Sequence, residues 1–206
     1  MATAQHPGRK LFRSQEPFIL ASASPRRRRL LQSLGMEFDV VVSGIEENQP
    51  VQGSPRELVC GWAGEKAEAV ARLHPDRWVL AADTIVVMAG ITFGKPTDSE
   101  EARRMLEQLS DREHEVLTAV CLRHVGRSHR ELDAVVTRVR FKRLLAAEID
   151  AYVASGEPLD KAGAYGIQGL GACLVRSICG SYTNVVGLPL CETVDRLMAQ
   201  GIIAPC

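Results

Sequence analysis

The chain has 206 residues, of which 46% are hydrophobic and 24% are charged, and this is ordinary for a folded globular protein. Its 25 basic and 25 acidic residues give a formal net charge of zero. Proteins that coat nucleic acid or an acidic membrane usually carry a large basic excess, so we expect neither partner.

The hydrophobic pattern predicts strands that alternate with helices along the chain. The predicted elements are a strand at 17–21, a helix from 25 to about 35 capped by Ser24, a strand at 38–42, a helix capped by Ser54 and running to about 73, a strand at 78–88, a helix at about 99–109, a hairpin of 115–124 and 131–141, a helix at about 147–155, a glycine-rich loop at 156–172, a further strand and turn, and a last helix from about 189. This alternation indicates an α/β fold. The hairpin and the glycine-rich loop do not fit a simple doubly wound sheet, so we expect a second lobe and a cleft.

Cysteine usage and the N-terminal composition bear on location. The six cysteines lack a CxxC pair or a regular spacing, which favours reduced thiols over a zinc site or a disulfide framework. The first residues are basic but contain no apolar stretch long enough for a signal peptide or a membrane span. We expect a cytoplasmic protein with a disordered extension at 1–16 and a single domain of two lobes at 17–206.

The first candidate site is "SASPRR" at 22–27, where a strand, a tight turn and a helix N-terminus direct backbone N–H groups at one spot. Ser24, Arg26 and Arg27 add hydroxyl and guanidinium donors that suit an anion with several oxygens. The four consecutive arginines cannot all face one ligand, so we expect the first two to contact it and the last two to be solvated. A solvated basic helix face is the alternative interpretation.

Asp83 is the single acid within the apolar strand "VLAADTIVV". Burying an acid is costly unless it is paired, binds a metal or ends the buried stretch. Asp83 could coordinate Mg²⁺ or act as a general base on a water, whereas a strand-end carboxylate is the plainer alternative. The neighbouring candidates are Glu46, Glu47, Lys66 and Lys95, each of which by itself is more typical of a surface charge.

The segment "DKAGAYGIQG" at 160–169 is rich in glycine, which lets backbone approach a ligand closely. Tyr165 offers an aromatic face, and the amide of Gln168 can both donate to and accept from a base edge. A flexible loop is the alternative. Combined with the cations and carboxylates above, and without an evident Cys-His or Ser-His pair, these residues favour hydrolysis of a nucleoside polyphosphate by a metal-activated water.

Segments in collinear order from "LASASPRRRRLLQSLG" to "GSYTNVVGLPLCET", including "GIEE", "AADTIVV", "GKPTDSEEARRMLEQLS" and "YVASGEPLDKAGAYGIQGLGA", together resemble the Maf (septum-formation inhibitor) family of nucleotide pyrophosphatases. The resemblance covers about residues 17–200. It implies a Maf/inosine triphosphatase-like α/β fold: a two-lobed mixed sheet flanked by helices, with a deep central cleft. It also implies a homodimer that cleaves nucleoside triphosphates to the monophosphate and pyrophosphate with a divalent cation, Mg²⁺, Mn²⁺ or Co²⁺.

The same resemblance implies roles for individual residues. The catalytic proton acceptor falls on Asp83, substrate binding on Ser24, Arg27, Lys66 and Lys95, metal binding on Glu47 (with Glu46 as the alternative) and Asp83, and base specificity on Arg26, Thr84 and Gln168. The specificity positions follow the dTTP/UTP type, which implies a role in clearing unwanted or modified nucleotides.

Two other functions remain open for such a chain. One is a 7-methyl-GTP-type pyrophosphatase, and the other is a non-catalytic nucleotide-binding regulator of cell division, with a link to inhibition of septum formation. The chain also departs from the family pattern at two positions, because Asp111 stands where glycine is typical and Phe93 where an aliphatic residue is usual.

Overall fold

A computed structural model describes residues 10–45 and 53–206. Its elements in chain order are β1 (Phe12–Ser14), β2 (Phe18–Leu20), α1 (Pro25–Ser33), β3 (Asp39–Val40), α2 (Pro55–Leu73), β4 (Trp78–Met88), β5 (Ile91–Phe93), α3 (Ser99–Leu109), β6 (Glu113–His124), β7 (His129–Phe141), α4 (Ala146–Ala154), β8 (Val175–Cys179), α5 (Tyr182–Val186), α6 (Leu190–Ala199) and β9 (Ile203–Pro205). The predicted α/β class is confirmed. Short 3₁₀ turns occupy much of the glycine-rich segment between α4 and β8.

The main sheet is mixed, in the order β3-β2-β4-β6-β7-β8, with β5 pairing to the far end of β4. The strands β3, β2 and β4 run parallel to one another, whereas β4, β6, β7 and β8 form antiparallel pairs. The β6–β7 hairpin is the one predicted from the sequence, longer by two residues at the start of each strand.

One edge of β4 is interrupted, and this interruption positions the site. On that edge β2 pairs with Trp78–Leu80, and β5 pairs with Val86–Met88. Between them the segment 81–85 has no strand partner on this edge among residues 10–45 and 53–206. The opposite edge is paired to β6 from Val79 to Val87. The backbone edge of residues 81–85 therefore borders the space between the end of β2 and the end of β5.

The alternation of side chains along β4 divides the core between the two faces of the sheet. Val79, Ala81 and Ile85 pack with the apolar face of α2. Trp78, Leu80 and Ala82 face the other way and pack with residues of α1 and α6, while farther along that face a third cluster joins α3, α4 and the glycine-rich segment. Helices thus cover both faces, as the resemblance implies.

Helix caps agree with the sequence. Ser24 caps α1 by accepting from the Arg27 N–H. Ser54 and Glu57 form a complete capping box at the start of α2, which ends at Leu73 as predicted. Asp111, the residue that stands where the family has glycine, has a φ of +56° in the turn before β6. That left-handed conformation favours glycine, and aspartate is among the residues that tolerate it.

The predicted disordered extension at 1–16 is wrong for β1, which pairs antiparallel with β9 near the C-terminus. Phe12 is buried against that same part of the core. The local sequence is polar and basic, so it carries no sign of a partner almost 200 residues away. Residues 1–9 lie outside the described part of the chain. Across the described ranges, we find no helix with the length and apolar character needed to cross a membrane.

Candidate active site

A cleft of about 770 Å³ opens at the interrupted edge of β4. Its walls come from the segment after β2, the segment after β5 and the glycine-rich segment after α4. Among the described residues, the charged side chains that line it are Arg26, Arg27, Lys66, Lys95, Lys161, Asp83 and Asp160. Cations outnumber acids five to two in this set, so the cleft suits an anion of high charge.

Asp83 and Lys66 form a buried ion pair at the cleft. Lys66 Nζ lies 2.8 Å from Asp83 Oδ2, and the two side chains are 10% and 5% exposed. Asp83 points to the α2 face of the sheet, which is where Lys66 projects from α2. The other carboxylate oxygen, Oδ1, accepts the Thr84 N–H at 2.8 Å. The two contacts fix the orientation of the carboxylate at the cleft.

Arg27 connects three segments around the cleft. Its Nε donates to the Gly187 carbonyl at 2.7 Å, Nη1 to Ser22 Oγ at 3.1 Å and Nη2 to Thr84 Oγ1 at 3.0 Å. The planar guanidinium is suited to such fixed, divergent contacts, and lysine could not reproduce them. Arg27 therefore holds the start of α1 against β4 and the end of α5, in addition to lining the cleft.

Thr84 belongs to a buried polar network on the face opposite Asp83. Its hydroxyl lies 2.9 Å from Thr118 Oγ1, which donates to the Asn184 carbonyl at 3.0 Å. The Asn184 amide donates in turn to Val116 O and Thr137 Oγ1. Thr118, Thr137 and Asn184 are fully buried. This network holds the Thr84 hydroxyl in position from the interior of the protein.

Arg26 makes an ion pair with the glycine-rich segment. Its Nη1 lies 3.0 Å from Asp160 Oδ2, and Lys161 Nζ contacts Asp160 Oδ1. Burial opposes ionisation of Asp160, but hydrogen bonds from Lys161 and Arg26 bring its pKa below the ordinary value. The segment that starts α1 and the segment that follows α4 are thus joined across the cleft.

The four consecutive arginines divide as predicted in position. Arg26 and Arg27 line the cleft and are half-buried, whereas Arg28 and Arg29 are exposed and border a separate hollow of about 310 Å³.

The glycine-rich segment, which the sequence predicts as a loop close to a ligand, lines the cleft at 160–162 and 165–168 and contains short 3₁₀ turns. Its glycines approach the protein's own side chains: a Cβ at Gly166 would lie 2.8 Å from Lys161 Cε, and one at Gly169 would lie 2.7 Å from Glu157 Oε2. The Tyr165 ring borders the cleft but is 5% exposed, and its hydroxyl pairs with His114. Close packing within the protein therefore accounts for these small residues.

All eight predicted site residues within the described ranges line this one cleft: Ser24, Arg26, Arg27, Lys66, Asp83, Thr84, Lys95 and Gln168. Glu47, predicted to bind metal, and its alternative Glu46 lie outside the described residues.

Sequence reasoning included Asp160 and Lys161 only within the segment 160–169 and gave them no role, and it did not name Thr118 or Asn184, which support Thr84 without lining the cleft. The charged pair before the glycines was a usable signal for the first two. Thr118 stands in the apolar strand β6 and Asn184 in the short helix α5, and neither context gave a signal.

The donor set of the cleft fits a divalent cation that is held mainly by phosphate oxygens. Mg²⁺ is usually bound through one or two carboxylates together with substrate phosphates and water. Asp83 supplies one carboxylate, and no cluster of three or more His, Cys, Asp or Glu side chains able to hold a metal occurs within the described ranges. The described residues therefore do not form a site that would bind a metal without phosphate ligands.

The sequence profile of the Maf family, described as "Maf-like protein", matches residues 17–200. The chain belongs to the Maf family.

Several curated relatives are about half identical to this chain. A dTTP/UTP pyrophosphatase from Desulfotalea psychrophila is 49% identical over 94% of this chain and 100% of its own length. Proteins of the same name from Geobacter metallireducens and Shigella sonnei are 52% and 54% identical, over 90% and 86% of this chain and 96% and 90% of their own. Among solved structures, the Staphylococcus aureus Ham1 protein matches with a TM-score of 0.44 and 16% identity, over 78% of this chain and 80% of that protein.

Proposed function

We propose that this chain hydrolyses nucleoside triphosphates to the monophosphate and pyrophosphate, with dTTP, UTP and related modified pyrimidine nucleotides as substrates. The observation that carries the proposal is a carboxylate buried beside a lysine in a cleft with an excess of cations, within a Maf-family chain. The substrate preference is supported by the name dTTP/UTP pyrophosphatase that the relatives share.

In the proposed mechanism, Asp83 is the general base. A water oxygen forms a new bond to the α-phosphorus, the bond from that phosphorus to the oxygen bridging the α- and β-phosphates breaks, and one proton of the water passes to Asp83. Pyrophosphate leaves with the electrons of the broken bond. Lys66 orients the carboxylate through the 2.8 Å contact to Oδ2, so that Asp83 can accept the proton.

The cations of the cleft stabilise the negative charge that is spread over the phosphoryl oxygens in the transition state. We assign this role to Arg27, Lys66 and Lys95, with Ser24 and the α1 N-terminus adding hydroxyl and backbone donors. A divalent cation, Mg²⁺, Mn²⁺ or Co²⁺, would be held by Asp83 and, in our proposal, Glu47. When bound, it would neutralise phosphate charge and lower the pKa of the attacking water.

We assign base selection to Arg26, Thr84 and Gln168, which line different walls of the cleft. The proposed physiological role is to clear unwanted or modified pyrimidine nucleotides, with the enzyme acting as a cytoplasmic homodimer.

The test is a nucleotide panel with the purified protein and each of the three cations. The panel contains dTTP, UTP, CTP, GTP, dATP and 7-methyl-GTP, and phosphate is measured with and without added inorganic pyrophosphatase. We expect dTTP and UTP to yield phosphate only when the inorganic pyrophosphatase is present. Asp83→Asn should lower kcat by at least about a hundredfold, since general-base catalysis contributes that much or more.

Asp111→Asn is the matched control, because it also removes one carboxylate. Asp111 is exposed and outside the cleft lining, and asparagine tolerates its φ of +56°. This variant should keep full activity. Equal rates for wild type and Asp83→Asn would contradict the role of the base, a dominant 7-methyl-GTP activity would favour that branch of the family, and binding of nucleotides without turnover would favour the regulator.

A further inference from the structure

Two side chains outside the predicted site, Tyr152 and Glu157, hold the backbone on both sides of Gln168. The Gly166 N–H donates to Tyr152 Oη at 3.1 Å. The Leu170 and Gly171 N–H groups donate to the two oxygens of Glu157, each at 3.0 Å. Gln168 therefore lies between one anchored residue before it and two after it.

The two anchors are themselves connected. The Tyr152 hydroxyl donates to Glu157 Oε1 at 2.9 Å. This phenol and this carboxylate together accept three backbone N–H groups and are hydrogen-bonded to each other. Tyr152 is 6% exposed and packs in the cluster formed with α3 and α4. The anchor is thus part of the hydrophobic cluster that joins α3, α4 and the glycine-rich segment.

The glycines of this segment fit the anchor closely. A Cβ at Gly171 would lie 2.5 Å from Tyr152 Oη and 2.4 Å from the Gly166 carbonyl. Gly169, which has a φ of +71°, would place a Cβ 2.7 Å from Glu157 Oε2. Only residues without a side chain let the backbone pass this near to the anchor.

Glu157 acts here as an ionised acceptor. Burial raises its pKa, but the N–H groups of Gly171 and Leu170 and the Tyr152 hydroxyl outweigh burial, and the net pKa lies below the ordinary value. An ionised carboxylate accepts in all directions and donates in none. An amide at the same position would direct an NH₂ group at a backbone donor.

We infer that Glu157, together with Tyr152, is a positioning residue for substrate selection: it fixes the backbone around Gln168 and thereby sets where the Gln168 amide meets the nucleobase. This inference rests on the proposed function. It adds to that function two residues that do not line the cleft and contact no substrate atom.

The experiment compares Glu157→Gln and Tyr152→Phe with wild type in steady-state kinetics on dTTP and GTP. Loss of hydrogen bonds to a charged group typically changes an equilibrium constant by about tenfold or more. We expect Glu157→Gln to raise the KM for dTTP about tenfold, to keep kcat within about threefold and to reduce the preference for dTTP over GTP about tenfold. Tyr152→Phe removes one acceptor and should change the same quantities in the same direction by less.

Glu148→Gln is the matched control. Glu148 is another carboxylate of this region that accepts a backbone N–H, from Leu145 at 2.9 Å, but it caps the far end of α4 and does not line the cleft. This variant should lose some stability and leave KM and selectivity unchanged. If Glu157→Gln and Glu148→Gln gave the same small, uniform changes, the positioning role would be wrong.

Amide hydrogen exchange provides a readout that does not depend on turnover. In Glu157→Gln the amides of Leu170 and Gly171 should exchange faster than in wild type, while those of β6 stay protected. If the wild type turned over none of the nucleotides, the proposed function and the selectivity role would both fall, and exchange would still show whether Glu157 holds the segment. If the wild type were active and Glu157→Gln had unchanged selectivity and exchange, this inference alone would be overturned.

Discussion

Asp83 and Thr84 are neighbours on β4 whose side chains leave the sheet on opposite faces. Asp83 meets Lys66 on the α2 face, and Thr84 meets Arg27 and Thr118 on the other. The position of the Arg27 guanidinium therefore depends on Thr118, a fully buried residue that does not line the cleft. Residues with no contact to a ligand can set the geometry of those that have one.

Thr118→Val tests this dependence, because valine keeps the shape and removes the hydroxyl. Thr84 Oγ1 loses its 2.9 Å partner, and the Asn184 carbonyl loses a donor. We expect the free energy of unfolding to fall by about 1–2 kcal/mol and the KM for dTTP to rise about threefold or more. Urea denaturation and steady-state kinetics measure the two effects.

Thr193→Val is the control for that substitution. Thr193 is also fully buried, and its hydroxyl oxygen has no hydrogen-bond partner among the described residues. Removing it should leave the free energy of unfolding unchanged or raise it, with no effect on KM. Indistinguishable results for the two variants would show that the Thr118 hydroxyl positions nothing.

At the scale of the element, α1 is unusual because its first turns carry arginines and no acid. Cations at the N-terminus of a helix oppose its dipole. The helix is held in place by its N-cap Ser24 and by the three contacts of Arg27 to other segments. Tertiary contacts and the proposed polyphosphate offset the unfavourable charge of this arginine block, residues 26–29.

Within the arginine block, we expect the two residues that line the cleft to serve the substrate and the two exposed residues not to do so. Arg28→Gln/Arg29→Gln changes two exposed side chains, so at about 0.15 M salt we expect the KM for dTTP to stay within about threefold and the free energy of unfolding within about 0.5 kcal/mol. Arg27→Lys keeps the charge but loses the planar guanidinium and its three contacts, so kcat/KM of this variant should fall more than about tenfold. A large loss in the double variant, measured by the same pyrophosphate-release kinetics, would mean that the outer arginines also serve the substrate.

At the scale of the whole molecule, His114 lies where β6, β7 and the glycine-rich segment meet. Its Nε2 is 2.8 Å from the Tyr165 hydroxyl, and its ring packs edge-on against Phe141. Burial lowers the pKa of His114 to about 4, from an ordinary value of 6.5. The imidazole is therefore neutral in the folded protein at pH 5–6, whereas the unfolded chain binds a proton there.

Since the unfolded state takes up a proton between pH 6.5 and 4 and the folded state does not, stability should fall as pH drops through this window. The loss amounts to on the order of 3 kcal/mol. In His114→Gln this contribution should be absent, so the difference in the free energy of unfolding between wild type and variant should shrink by that amount from pH 7 to pH 4. Denaturant unfolding at a series of pH values measures it.

Tyr165→Phe is the companion variant, because it removes the hydroxyl partner and keeps the buried imidazole. It should lower stability at every pH and retain the slope of the wild type. Parallel curves for wild type and His114→Gln would show that His114 does not carry the pH dependence.

Much of the fold could be predicted locally. Ser24 and Ser54 each cap a helix where the sequence places one, and the continuous apolar run of β4 is the strand that was predicted. The short elements β1, β5, α5 and β9 were not predicted, because three to five residues carry little periodicity and their tertiary contacts supply the stability. The extension at 1–16 was wrong over β1 for the same reason.

The candidate site divides in a similar way. Residue types in "SASPRR", "ADT" and "GKP" indicated cations and a carboxylate for a polyphosphate, and the structure brings them to one cleft. The ion pair of Arg26 with Asp160, which are 134 residues apart, and the bonds of Glu157 to the glycine-rich backbone could not be predicted. The first contact depends on how the start of α1 meets the segment after α4, and the others depend on how the 3₁₀ turns of that segment fold back on themselves.

The sequence by itself determined the family, the helix caps, the apolar faces and the chemical types of the groups in the cleft, because these depend on residue identity and on spacing along the chain. Only the tertiary structure decided that β2 and β5 leave the middle of β4 open, that Asp83 and Thr84 serve opposite faces, and that the glycines pack on Glu157 and Tyr152. The physical reason is that strand pairing and side-chain packing join segments far apart in sequence, and no local pattern of polarity encodes which partner a segment will meet.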